Sequence, residues 1–142
     1  MSTSAGAAVV EMTIPARPEY VGVARLAILG VASRMRFSYD EVEDIRLAVG
    51  EACANAIERM NRPGSPGATI RLRCLVEPQR LSIEVTDSAP QRDRPPPSAE
   101  TPVLDEAQLG GVLIRILMDE VESQDDLQAG THTLRMVKYV GR

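Results

Sequence analysis

The chain has 142 residues, of which 44% are hydrophobic and 25% charged. That length fits one domain able to bury about two thirds of the surface that its unfolded form exposes. No apolar run approaches the ~20 residues of a membrane span. A net charge of −4, with three Tyr, one Phe and no Trp, argues against a basic or base-stacking nucleic-acid binder.

Val10, Met12 and Ile14 alternate with polar residues ahead of Pro15, which predicts a first strand. A helix is expected from Pro18 to about Met35, with Tyr20, Ala24, Ala27, Ile28, Val31 and Met35 on one face and a proline at its start. Val23 and Leu26 form a second apolar row beside Ala27. Ser38 to Glu41 has the form of a capping box, in which hydroxyl and carboxylate satisfy backbone amides reciprocally. A second helix follows, striped by Val42, Ile45, Val49, Ala52, Ala56 and Met60, until RPGSPG at 62–67 ends it.

Ile70, Leu72, Cys74 and Val76, then Leu81, Ile83 and Val85, read as a hairpin turning at Glu77 to Arg80. Asp87 shares the parity of Leu81, Ile83 and Val85, so its carboxylate is expected on the covered side of the sheet. Ser88 to Gln108 contains five prolines and no periodicity, as a mobile functional loop would. Gly110 and Gly111 are expected to open a third helix, GVLIRILMDEV, and Thr131 to Val140 a closing strand after the Gln128-Ala129-Gly130 turn. The sum is an α+β two-layer sandwich, with three main helices on one face of a mixed, mostly antiparallel sheet.

Cys53 and Cys74 have no metal-ligand spacing, and with nothing arguing for export they are expected as buried free thiols. The beginning MSTSAGAAVV lacks signal-peptide features, so the cytoplasm is the expected location. His132 is the only histidine, which disfavours a zinc site or a histidine-based triad.

The stretch EACANAI sets Glu51 and Asn55 four residues apart, one above the other at the edge of the second helix's apolar stripe. They could be a half-solvated flank. Alternatively, the carboxamide oxygen is a hard ligand for Mg²⁺ and the carboxylate one turn earlier can take a proton.

The order of "DIRLAVGEACANAIERM", "IEVTD", "GGVLIRILMDEVE" and "GTHTLRMVKYV" resembles the histidine-kinase-like ATPase superfamily, and within it the anti-sigma-factor serine-protein kinases of the RsbW and SpoIIAB type. The matches span nearly all of 1–142, making it a single ATPase domain with a probable ATP lid at 88–108. By that resemblance Asn55 would bind the ATP-bridging Mg²⁺, Glu51 would orient or deprotonate a substrate serine, and Asp87 would accept a hydrogen bond from the adenine amine. The amides of Gly110 and Gly111, taken as a helix start, would face phosphate, and Thr131 would lie beside adenine.

The sequence departs from the family pattern where Ser88-Ala89-Pro90-Gln91 replaces glycines after Asp87, where Gln108 stands for a glycine, and where Arg59 replaces a common histidine. The resemblance implies ATP and Mg²⁺ as cofactors, a sigma factor and an anti-anti-sigma (STAS-domain) protein as partners, a homodimer, and no contact with nucleic acid or membrane. The implied function is an anti-sigma factor that phosphorylates its anti-anti-sigma partner on serine. The alternative is a binding module of the same fold that sequesters a regulator without turnover. A third reading, a switch kinase that activates a phosphatase, fits the final forty residues less well.

Overall fold

A computed structural model describes residues 7–60, 67–88 and 106–141. Five strands, β1 (Ala8–Pro15), β2 (Thr69–Val76), β3 (Arg80–Asp87), β4 (Glu120–Asp126) and β5 (Thr131–Tyr139), form one sheet in the order β1-β2-β3-β5-β4. The helices are α1 (Val21–Ala32), α2 (Tyr39–Met60) and α3 (Glu106–Leu117). Every strand pairing is antiparallel, so the expected α+β architecture stands and the sheet is not mixed.

Strand register explains which side chains the helices cover. Met12 lies opposite Leu72, Leu72 opposite Val85, and Val85 opposite Leu134, a row that crosses four strands on one face. Ile83 and Met136 make the next row with Cys74 and Val121. These residues join Ala24 and Ile28 of α1, Ile45, Val49, Cys53 and Ala56 of α2 and Ile114 of α3 in a single core. The opposite face is mostly polar, apart from a row of Val9, Leu75 and the buried Val137. Arg73 there reaches Glu84 at 3.5 Å and Glu11 at 3.9 Å, and the hydroxyls of Thr86 and Thr133 meet at 3.0 Å.

The first helical segment is shorter than its periodicity suggests. Pro18–Tyr20 make one 3-10 turn, α1 begins at Val21 and ends at Ala32, and the Ser33 hydroxyl donates to the Gly30 carbonyl just beyond. The capping box forms as expected. Ser38 N–H donates to Glu41 Oε1 at 2.7 Å, and Glu41 N–H donates to Ser38 Oγ at 3.1 Å. Desolvation opposes the charged form of Glu41, but the amides of Ser38 and Gly141 outweigh it and hold the carboxyl below its usual range. Gly50 sits where α1 crosses α2: a β-carbon there would come 2.5 Å from Arg25 Nε, so any larger residue would push that side chain aside.

Two boundaries differ from the sequence reading. GVLIRILMDEV is not one helix, because α3 stops at Leu117 and Glu120-Val121 already belong to β4. That strand, EVESQDD, is largely exposed and pairs only with β5, so its charges suit an edge and hide the apolar alternation that would identify it. In addition, α3 begins at Glu106, which moves Gly110 and Gly111 from the helix start into its second turn. Most of the expected 88–108 lid, and RPGSPG apart from Gly67, lie outside the described residues.

Lys138 ties the layers together. Its ammonium is nearly buried, donating to the Leu117 carbonyl at the end of α3 at 2.6 Å and to Asp44 Oδ2 of α2 at 3.4 Å. A cation at a helix C-terminus satisfies a carbonyl that has no helical partner and meets the favourable end of the dipole. Lys138→Met should therefore lower unfolding free energy by about 2 kcal/mol, measured by urea denaturation. Loss within experimental error would show that the tie contributes nothing.

Candidate functional site

The C-terminal half of α2 runs over the ends of β3 and β5. Asn55 is 9% exposed, and Arg59 follows one turn later on the same helix edge. Below them, strand parity carries Asp87 to the covered face, where its carboxyl group is fully enclosed. Register places His132 of β5 directly opposite Asp87, and Asp125 of β4 opposite His132.

Arg59 joins the helix to these strands. Its Nη2 donates to Asp87 Oδ2 at 2.6 Å and lies 3.1 Å from His132 Nδ1. A guanidinium only donates, so in this contact Nδ1 is the acceptor, and the same nitrogen lies 3.7 Å from Asp87 Oδ2. The Arg59 side chain is 11% exposed. Two buried atoms at this end of the sheet have no hydrogen-bond partner, Arg59 Nε and Asp125 Oδ1.

A cleft of about 130 Å³ opens between α2, α3, β4 and β5. Asn55, Arg59, Gly111, Ile114, Ser123 and His132 are among its walls. A β-carbon built on Gly111 meets nothing within 4 Å, so the missing side chain leaves open space. Asn55 thus brings a carboxamide, whose oxygen is a hard ligand, to a cleft also lined by a cation, a chemistry suited to a metal-bound polyanion. Among the described residues no group of three or more His, Cys, Asp or Glu could hold a metal, so Asn55 would need a ligand's own oxygens to complete a coordination shell.

Asn55 and Gly111 line the cleft together, and Asp87 joins it through Arg59. Glu51 is half-buried one turn before Asn55 and is not one of the lining residues. Thr131, also half-buried, adjoins His132 at the start of β5 and is paired with Asp126. Gly110 lies in α3 beside Gly111, where its amide falls beyond the first four of the helix, the ones left without helical partners.

The residues missed by sequence reasoning are His132, considered only as a zinc or triad candidate, Arg59, noted only as a departure, and Asp125. The faces on which His132 and Arg59 lie were readable, although not the cluster that they form. His132 has the parity of Leu134 and Met136, and Arg59 continues the four-residue step from Glu51 to Asn55. Cys53 and Cys74 are free and buried, and burial pushes their thiols up to about 12 and about 11, far from a reactive thiolate.

The model of the histidine kinase-like ATPase domain matches residues 14–138. The chain belongs to this ATPase family. It is also 41% identical over 140 residues to the serine-protein kinase RsbW of Bacillus subtilis, covering 92% of this chain and 85% of that protein. The corresponding kinase of Bacillus pumilus is 42% identical over 144 residues, covering 94% and 86%. Within the ATPase family, then, the chain groups with the RsbW protein-serine kinases. A crystal structure of the RsbU and RsbW domains of a Mycobacterium tuberculosis protein shares the fold, with a TM-score of 0.68 at 15% identity, covering 92% of this chain and 32% of that one.

In this ATPase domain, the Arg59–Asp87 pair is a buried electrostatic contact between α2 and β3. Removing one member of a buried pair strands the other. Asp87→Ala should cost about 3 kcal/mol of stability, read from chemical denaturation, whereas a loss below about 1 kcal/mol would place the pair among weak surface contacts.

Proposed function

We propose that this protein is an anti-sigma factor and ATP-dependent serine kinase, which binds an RNA-polymerase sigma factor and phosphorylates a STAS-domain anti-anti-sigma partner. The observation that carries the proposal is Asp87: an enclosed carboxylate at the end of β3, linked by one side chain to the cleft that Asn55 lines. A carboxylate in that setting accepts from an amine, as recognition of adenine requires.

On this reading Asn55 holds Mg²⁺ through its carboxamide oxygen. When bound, the ion neutralises charge on the ATP phosphates. Gly111 leaves room for the phosphates, and Gly110 lies beside it. Glu51 orients the incoming serine hydroxyl and accepts its proton, a smaller contribution than positioning and charge neutralisation in phosphoryl transfer. Thr131 borders the base through its place next to His132.

The proposed location is the cytoplasm. No helix among the described residues is long and apolar enough to cross a membrane. Homodimer formation is part of the proposal and is supported by the outward apolar row of α1, where Val23 is 47% and Leu26 69% exposed. A second reading, a module that sequesters its partner without turnover, draws support from the hold of Arg59 on Asp87.

The two polar residues of EACANAI separate these readings. Asn55→Ala should weaken Mg·ATP binding, because the metal loses one of few protein oxygens. Glu51→Ala should leave nucleotide and sigma binding intact and lower transfer of phosphate to the partner by ~10²-fold or more. Calorimetric titration with Mg·ATP and a radiolabel transfer assay measure the two effects. Parent-like behaviour of both variants would refute the catalytic assignment, and absence of transfer by the parent would leave the sequestering module.

A further inference from the structure

Arg59 has no part in the phosphoryl-transfer scheme, yet its guanidinium is held on the carboxylate assigned to the base. Both hydrogens of Nη2 have acceptors within reach, Asp87 Oδ2 at 2.6 Å and His132 Nδ1 at 3.1 Å. Arg59 Nε, also buried, has none. A guanidinium has no acceptor atom, so the group brings donors alone. The other elements packed around it bring Asp87 from β3, His132 from β5 and, across from His132, Asp125 from β4.

We propose that Arg59 is a specificity-determining residue of the purine site: by holding the Asp87 carboxylate it weakens the reading of a 6-amino group and lets a 6-oxopurine nucleotide compete. The inference rests on the reading of Asp87 as the base acceptor. An adenine amine approaching Oδ2 must either share that oxygen with Arg59 or displace it. Sharing brings two donors side by side; displacement breaks a buried ion pair. A 6-oxopurine also brings a donor to the carboxylate, but with it comes an acceptor for the guanidinium. Its N1–H donates to the carboxylate while its O6 accepts from the guanidinium, so donor and acceptor each face their complement. The plain alternative is that Arg59 only neutralises a buried carboxylate, in which case its replacement changes stability and overall affinity but not the choice between bases.

Calorimetric affinities of the full chain for Mg·ATP and Mg·ITP distinguish these accounts, since the two nucleotides differ at position 6 of the purine. The parent should bind both within about threefold, and Arg59→Gln should raise the ratio of ATP to ITP affinity by about tenfold. Arg59→Lys keeps the charge and loses the fork, so it should shift the ratio the same way by a smaller factor; it carries the test should the glutamine variant fail to fold. If variants bind both nucleotides with the parent's ratio, whether more weakly or not, the site stands and the role of Arg59 is overturned. If parent and variants bind neither nucleotide, the reading of Asp87 falls and this inference with it.

Discussion

A carboxylate removed from water must be given donors, and the arrangement of this protein's cleft follows from how Asp87 obtains one. Strand parity leaves Asp87 no route to the open face of the sheet, because Leu81, Ile83 and Val85 fix the same side as the core. The required charge comes from α2, whose last turn carries Arg59 above it. One interaction therefore joins the end of α2 to β3 and β5 on the covered side of the sheet. Such a pair is weak evidence for stability as a whole, since desolvation offsets much of its attraction. Its consequence is geometric: Asn55, one turn earlier, is brought to the same cleft.

The remainder of the scaffold holds that helix in place from its other end. Ser38 and Glu41 close the first turn of α2 reciprocally, and Glu41 also accepts from the amide of Gly141 just after β5. Lys138 joins the same strand to Asp44 on α2 and to the last carbonyl of α3. Both helices that flank the cleft are thus attached to β5, which also supplies His132 and Leu134 to its wall. Packing supplies the bulk of the free energy, and these few polar contacts select the orientation in which it is gained.

Much of this was legible in the chain because local signals agreed with one another. The capping box, the helical stripe from Val42 to Met60 and the alternation in β1, β2 and β3 each pointed to the element that forms, and the parity of Asp87 placed it on the covered side. The misses have physical causes. The edge strand β4 is nearly all charged or polar, so no apolar period marks it, and the apolar run before it drew the helix too far. The glycines at 110 and 111 suggested a helix start, but the helix begins one turn earlier at Glu106. The cluster of Arg59, Asp87 and His132 was not legible, because each partner lies at least 28 positions from the next in sequence and only the sheet register and the helix crossing bring them together.

Under the proposed function this cleft, bounded by Asn55 and by Arg59 on Asp87, receives a magnesium-bound nucleotide. The most direct test is a titration of the ¹⁵N-labelled protein with Mg·ATP, following the Asn55 carboxamide and the Arg59 Nε–H signals by NMR. Both should shift with one common saturation curve. Signals that stay fixed at both groups up to millimolar Mg·ATP would contradict the claim.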